Sequence, residues 1–479
     1  MRKEIRKRLC AIAMASSSIV LGCTTVEPKR GFADVQNAVA GRIDHEVEWD
    51  QGTQQDAHVR ESVERLLTDE LGLEAALQIA LLNNPTLQAT YEELGVAQAD
   101  LVQAGLLRNP VFSGFARVPR GSPSQTNLEF DVAQEFVGLL FLPARRRVAS
   151  ANFEARKLHV IDAVLDLAAR VKAAYFGLQA SENVADVVRA SADVATASAE
   201  LAAKMHEAGN FGDLELARER ALATELGLDV ERRRGEVEIA REILTRLMGL
   251  TGDEASWSVP PRLPAIPREE PPLDDLERAA LTRPDIAAVR QEADTLRDAL
   301  GLTRLSRWFP FVELGIDNER DTRGQWVHGP NVSLQLPVFD RGEAGVARAE
   351  SELRRSEKRL VALGVAARSE IREAQSRMAR ARRLAETASG SLIPLRQEVV
   401  SRALERYNYM FVGASDLLAA KRDELEAYRI YVTSVRDYWV ARSDLERAVG
   451  WTLKHPQGVS AEPAQSSARP PSHPSHGGN

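Results

Sequence analysis

Residues 411–425 read FVGASDLLAAKRDEL, a glycine-centred break inside a stretch that otherwise carries a continuous helical pattern. A looser counterpart, EAGNFGDLELARERA, occupies residues 207–221. In each, glycine and small or polar residues precede an Asp-Leu pair that opens a new helical run. Glycine gives the backbone freedom for a sharp reversal, and Ser or Asp offers an acceptor to the free N–H groups of the next helix. Gly209, Gly212, Gly413 and Ser415 are therefore expected at turns, with Asp213 as a helix cap. Two such breaks, roughly two hundred residues apart, predict an internal duplication of helical hairpins.

The flanking segments support long helices. No proline falls between Pro143 and Pro260, and Leu158, Ile161, Leu165, Ala168, Tyr175 and Leu178 recur at helical steps. As continuous helix, residues 145–207 would span roughly 95 Å at 1.5 Å per residue. A narrow apolar stripe on so long a helix requires partner helices, as in a coiled coil. The expected long helices are about 145–207 and 213–249 in the first half. The second half has about 343–408 and 414–450, with Pro394 marking a late bend.

Upstream of each long pair lies a short helix, a proline and a longer helix: LEAALQIALLNNPTLQATYEEL (73–94) and LDDLERAALTRPDIAAVRQEA (273–293). The hydrophobic period then shifts to two, predicting hairpins at about 111–135 and 311–338. Leu128, Phe130 and Val132 share one face, and Asn127, Glu129 and Asp131 the other. Likewise Val332, Leu334 and Leu336 oppose Asn331, Ser333 and Gln335. The first repeat is thus 71–258, a Pro-rich linker occupies 259–272, and the second repeat is 273–451. Residues 23–70 read as a polar extended arm and 452–479 as a disordered tail.

Charged residues make up 27% of the 479, the formal charge is −7, and no basic cluster interleaves with aromatics, which excludes the usual nucleic-acid-binding pattern. The opening MRKEIRKRLCAIAMASSSIVLGC has a basic stretch and then an apolar run too short to cross a bilayer, the pattern of a signal peptide over residues 1–22. Its end, Val20-Leu21-Gly22-Cys23, resembles a bacterial lipobox, with the leucine one place later than in the commonest form. That resemblance implies a covalent lipid on Cys23, and Thr24 in place of aspartate resembles outer-membrane sorting. Losing five basic residues and one acidic one would move the formal charge from −7 to −11.

Four half-polar strands cannot close a membrane barrel, since single-chain barrels need at least eight, and hydrocarbon does not tolerate open sheet edges. Two architectures remain. Several copies contribute strands to one shared barrel, or a small soluble sheet caps a coiled-coil stalk.

The run LGLEAALQIALLNNPTLQATYEELGVAQADLVQAGLLRNPVF (71–112), the repeated halves and the glycine breaks resemble the TolC-like outer-membrane efflux proteins, in their lipoprotein branch. The resemblance covers about residues 70–451. It implies a mixed α/β membrane protein: a trimeric twelve-stranded β-barrel, four strands per subunit, continued by a long α-helical coiled-coil tunnel. It implies an exit duct rather than an enzyme, a homotrimer in outer-membrane lipid. The partners it implies are a periplasmic adaptor protein and an inner-membrane efflux pump, with no cofactor beyond the Cys23 lipid. Drugs, heavy-metal ions and other small solutes are all open as cargo, and a pore-free periplasmic scaffold is the competing reading. In the resemblance, VGASD (412–416) falls at the tunnel entrance, with Asp416 at the first ring of acidic residues and Ala419 where a second would stand. A helix cap is the plainer reading of Asp416. Asn127, Glu129, Asp131, Asn331, Ser333 and Gln335 would face the barrel lumen.

Three further features stand apart. Arg145, Arg146 and Arg147 suit lipid headgroups, acids of a neighbouring subunit or a solvated helix start. Trp308, Phe309 and Phe311 suit either an interfacial aromatic girdle or core packing. His455, His473 and His476 lie in or beside the tail and are too sparse to define a metal site. Nothing resembles a nucleotide loop, a catalytic triad or a metal cluster, so the energy for transport must come from a partner.

Overall fold

The computed structural model describes residues 29–52, 57–67, 70–121, 125–251, 257–308 and 311–453. The chain divides into two compact units. Unit 1 comprises Met1–Asp34, Tyr91–His159 and Ala287–Val361; unit 2 comprises Val35–Thr90, Val160–Ile286 and Ala362–Asn479. The signal segment, Cys23, Phe309 and the three tail histidines lie outside the described residues.

The described helices and strands follow in chain order. Helices α1 (Phe32–Ile43), α2 (Ala57–Leu66), α3 (Leu73–Asn83) and α4 (Pro85–Ala104) precede strands β1 (Val111–Arg117) and β2 (Asn127–Glu135). Helices α5 (Val137–Glu207), α6 (Asp213–Met248), α7 (Leu273–Ala280) and α8 (Pro284–Ser306) lead to β3 (Val312–Arg320) and β4 (Trp326–Leu334). Helices α9 (Glu343–Thr387), α10 (Ile393–Asn408) and α11 (Ala414–Val449) complete the second repeat.

Unit 1 is built on a four-stranded antiparallel sheet in the order β1-β2-β3-β4. The central β2–β3 pairing joins the two repeats, with Val132 opposite Ile316 and Asp131 opposite Asp317. Strands β1 and β4 form the two edges.

Unit 2 is helical, and its core holds Leu77, Ile79, Leu178, Leu244, Met248 and Tyr438. The NNP motif acts at a helix end there. Asn83 Nδ2 donates to the Met248 and Gly249 carbonyls (3.1 and 2.9 Å), and Asn84 Nδ2 donates to Leu247 O (2.8 Å). Asn84 Oδ1 also accepts the Leu87 N–H at the start of α4 (2.9 Å). One asparagine thus closes α6 and opens α4. In the second repeat Arg283 takes the first of these roles, donating to Ala448 O near the end of α11 (3.2 Å). Gly249 and Gly450 both end their helices in the left-handed conformation.

Three expectations need correction. The stretch read as an extended arm contains α1 and α2, and Val35, Val39, Val47 and Trp49 are buried. Its scattered Gly, Asp and Gln masked apolar positions at helical spacing. The first long helix starts at Val137 rather than near 145, with Pro143 inside it. A proline this close to the start forfeits one hydrogen bond while six helical residues before it keep their geometry. The bend placed at Pro394 is a five-residue π-helical turn, Ala388–Leu392, and Pro394 lies in the first turn of α10, where its missing N–H has no helical partner to lose.

Candidate functional site: a two-faced sheet and two tip turns

The sheet of unit 1 separates chemistry by face. Phe112, Val132, Ile316 and Pro330 align across the four strands, and Phe112 stacks on Phe130 at 6.2 Å. Phe112, Val132, Ile316, Val332 and Leu334 are all exposed. Asn318, His328 and Arg320 share this face toward the β3–β4 loop, so its contiguous apolar part is the end holding Phe112, Phe130, Val132, Ile316 and Val332, a surface suited to an apolar environment.

The other face carries carboxylates. Asn127, Glu129 and Asp131 lie on it, as expected, and β3 adds Glu313, Asp317 and Glu319. Across β2–β3, Glu129 stands opposite Glu319, Asp131 opposite Asp317, and Glu135 opposite Glu313. Like charges directly opposite one another weaken a sheet, so three such rungs, interrupted only by Ala133 opposite Gly315, are a cost the fold carries for another reason. Neutral amides and arginines temper it. Asn127 Nδ2 donates to Glu319, and Asn331 Nδ2 donates to Asp131. Arg117 Nη1 lies 2.6 Å from Glu129, and Arg108 Nη1 2.8 Å from Glu135. Gly315 makes room for this network: a β-carbon there would meet the Asn331 side chain and come within 2.9 Å of Val132 O.

Ser333 is on β4, exposed, two residues beyond Asn331. Gln335 falls one residue past the end of β4, though its N–H still donates to Phe311 O (3.2 Å). The β3 carboxylates were missed, yet VELGIDNE places Glu313, Asp317 and Glu319 at even spacing on one face. The signal was present in the alternation.

In unit 2 the two breaks are turns of one geometry. After α5, the Gly209 N–H donates to His206 O (2.8 Å) and the Asn210 N–H to Met205 O (2.9 Å). After α10, the Met410 N–H donates to Tyr407 O (2.9 Å) and the Phe411 N–H to Arg406 O (2.8 Å). Both are Schellman closures. Gly212 and Gly413 then occupy the N-cap positions of α6 and α11, in extended conformations. His206 also closes the first turn, its Nδ1 2.8 Å from Phe211 O and its Nε2 3.5 Å from Asp213.

Aligned on the cap glycines, Asp416 corresponds to Glu215, not to Asp213. Asp416 is the third residue of α11, and its Oδ2 accepts the Gly413 N–H (3.1 Å). Glu215 is the third residue of α6, and its carboxylate occupies the space a β-carbon on Gly212 would need. Asp213 is the first helical residue and makes no cap bond. The repeated Asp-Leu pairs are therefore out of structural register by two residues. Ser415, at the second helical position, is half-buried, and Asp416 is exposed. Ala419 supplies no charge one turn on, and Asp423 is engaged by Arg396 (2.9 Å).

The side chains of the second turn are large and apolar: Tyr409, Met410 and Phe411 are 74, 93 and 75% exposed. Trp308 is exposed beside Arg307, whose guanidinium lies 4.6 Å from the indole centroid, and Phe311 is half-buried. Among the described residues, no helix is long and apolar enough to cross a membrane and no three metal-ligating side chains converge.

A two-faced four-stranded sheet combined with duplicated long helical hairpins is the protomer fold of the TolC-like outer-membrane efflux channels. No protein-family pattern matches the chain. Over 393 residues, covering 79% of this chain and 90% of that protein, it is 24% identical to the cobalt-zinc-cadmium resistance protein CzcC of Cupriavidus metallidurans. The CmeC outer-membrane channel of Campylobacter jejuni superposes with a TM-score of 0.69 at 17% identity, covering 86% of this chain and 92% of that one. VceC, an outer-membrane protein of Vibrio cholerae, gives 0.65 at 19% identity, covering 80% and 97%.

Proposed function

We propose that this protein is the outer-membrane exit duct of a tripartite efflux system, conducting solutes passively from a periplasmic adaptor and an inner-membrane pump to the exterior. The observation that carries the reading is the sheet. It has one exposed apolar face, one face of carboxylates and amides, and edge strands on both sides. Four strands cannot close a barrel, and open edges are not tolerated in lipid. Three copies pairing β1 of one with β4 of the next give twelve strands without an edge. The apolar face then meets lipid, and the polar face lines water. A lipid on Cys23 adds a second membrane anchor in this reading. A pore-free scaffold leaves the apolar face and both edges without a purpose.

The carboxylate rungs bear on cargo. Their summed field favours cations over anions in a narrow lumen. The similarity to CzcC, a cobalt-zinc-cadmium resistance protein, supports divalent metal cations as cargo ahead of drugs or other small solutes. The tip turns, with Asp416 exposed at the start of α11, form the periplasmic entrance in this account.

Edge pairing is tested by disulfide trapping. Cysteine pairs, one between Phe112 and Ala116 on β1 and one between Val327 and Val332 on β4, are oxidised in outer-membrane preparations. Within one copy β2 and β3 separate these strands by about 14 Å, beyond the reach of a disulfide. Covalent trimers are expected at one register, and monomers at every register would overturn the shared barrel.

A further inference from the structure

Arg146 and Arg147 are charges of unit 1 without a role in the duct just described. Both are exposed on α5, and neither makes an ion pair or hydrogen bond among the described residues. Arg108, Arg156 and Arg304 of the unit are paired, with Glu135, Glu93 (3.2 Å) and Glu350 (2.5 Å), whereas Arg290, Arg341 and Arg355 are as free as Arg146 and Arg147; what sets the latter two apart is that they share a groove. Just before them, Arg145 turns inward toward Gly138 O (3.4 Å), and its Nε is buried without a partner. Two adjacent exposed guanidiniums without protein partners leave their donors available to an anion.

They line a groove of about 600 Å³ with Gly105, Leu142, Pro143 and Gln291. Glu154 also lines it and is bound to Lys157 (2.7 Å), which Asp34 shares (2.7 Å); one carboxylate against two guanidiniums leaves the groove net positive. Six residues earlier, Leu140 is 76% exposed; Leu139 and, just beyond α4, Leu106 and Leu107 are exposed too. The helical rise puts Leu140 about 9 Å from Arg146 along the axis. An apolar belt followed at that distance by unpaired arginines is the pattern of a hydrocarbon edge beside headgroups.

We propose that this groove binds the phosphate of an anionic glycerophospholipid, held by Arg146 and Arg147, with its acyl chains running over Leu142 toward Leu140. The proposal rests on the reading that the sheet spans a bilayer. A guanidinium fork matches two phosphate oxygens, and two cations against the single carboxylate of Glu154 favour a headgroup that carries no amine. Inorganic phosphate shares the anion chemistry but gains nothing from the leucines.

The test is native mass spectrometry of the full-length protein with phosphatidylglycerol, with phosphatidylethanolamine or with inorganic phosphate. Phosphatidylglycerol is expected to be retained best. R146Q/R147Q is expected to weaken its retention on the order of tenfold, corresponding to the loss of charge-assisted bonds. L140S is expected to weaken lipid retention while leaving phosphate binding unchanged. Equal retention by wild type and R146Q/R147Q overturns the site, as does phosphate binding that displaces lipid at equal concentration. If R146Q/R147Q dissociates the oligomer whether or not lipid is present, the arginines pair with acids of a neighbouring copy and the proposal fails. Conductance in planar bilayers is measured in parallel. Conducting protein with unchanged lipid retention refutes the lipid site alone; absent conductance from wild type refutes the channel reading, and retention still decides the site.

Discussion

Gly209 and Met410 hold the same left-handed position in the two interhelical turns, with φ of 76° and 58°, each three residues before a cap glycine. The first position has the residue that conformation favours, and the second does not. Left-handed backbone costs a residue with a β-carbon about 1–2 kcal/mol, and glycine returns roughly 0.5–1 kcal/mol in chain entropy. M410G is expected to protect the Met410 and Phe411 amides from hydrogen exchange by about 0.5–1 kcal/mol. G209A should loosen its own turn by about 1 kcal/mol, read at the Gly209 and Asn210 positions.

Asp416 caps α11, and the proposed entrance would give its charge a second role; two substitutions separate them. Asn keeps an oxygen for the Gly413 N–H but removes the charge; Ala removes both. D416N and D416A should both weaken block by a trivalent cation applied from the periplasmic side. Only D416A should also fray α11, by about 1 kcal/mol. Block unchanged in both variants would leave Asp416 a cap and nothing more.

Much of this arrangement was legible in the residues. Period-two alternation marked the sheet faces, and the glycine breaks marked the reversals, because both signals are local. The register between repeats was not local. Asp213-Leu214 and Asp416-Leu417 look equivalent in sequence, but the position that reaches back to the cap is fixed by where the preceding helix ends. Glu215 was therefore overlooked. The β2–β3 carboxylate rungs depend on pairing strands almost two hundred residues apart, which no single stretch reveals. Helix α1 was hidden by polar composition until the burial of Val35 and Val39 supplied its reason.

Arg442 is 3% exposed and ties α11 to the Pro-rich linker, with Glu270 at 3.3 Å and the Leu453 carbonyl at 3.1 Å. R442M leaves the half-buried Glu270 carboxylate with one guanidinium fewer. Arg382 still serves Glu270, so the loss should fall near the lower end for a broken buried pair, about 3 kcal/mol. Chemical denaturation of the detergent-solubilised protein measures it; a loss below about 1 kcal/mol would show that water replaces the guanidinium.

His45 reports on pH. Burial by itself would lower its pKa, but the Glu74 carboxylate 3.1 Å from Nε2 and the Ile43 carbonyl 2.7 Å from Nδ1 more than offset that and raise it above 6.5. A raised folded pKa means the charged form stabilises the fold. That contribution is complete below the unfolded value and is lost as pH rises through the folded one. H45Q should remove this part of the pH dependence, and E74Q should bring the His45 titration down, as NMR of the ring protons would record.

The central claim is that three copies enclose one cation-favouring pore. Single-channel recording of the purified protein in a planar bilayer, under a salt gradient, tests it most directly. Discrete conductance steps are expected, with a reversal potential shifted toward the cation equilibrium value, and the shift should shrink in E129Q/E319Q. No conductance under any condition that opens the entrance, or an anion-selective pore, would contradict the account.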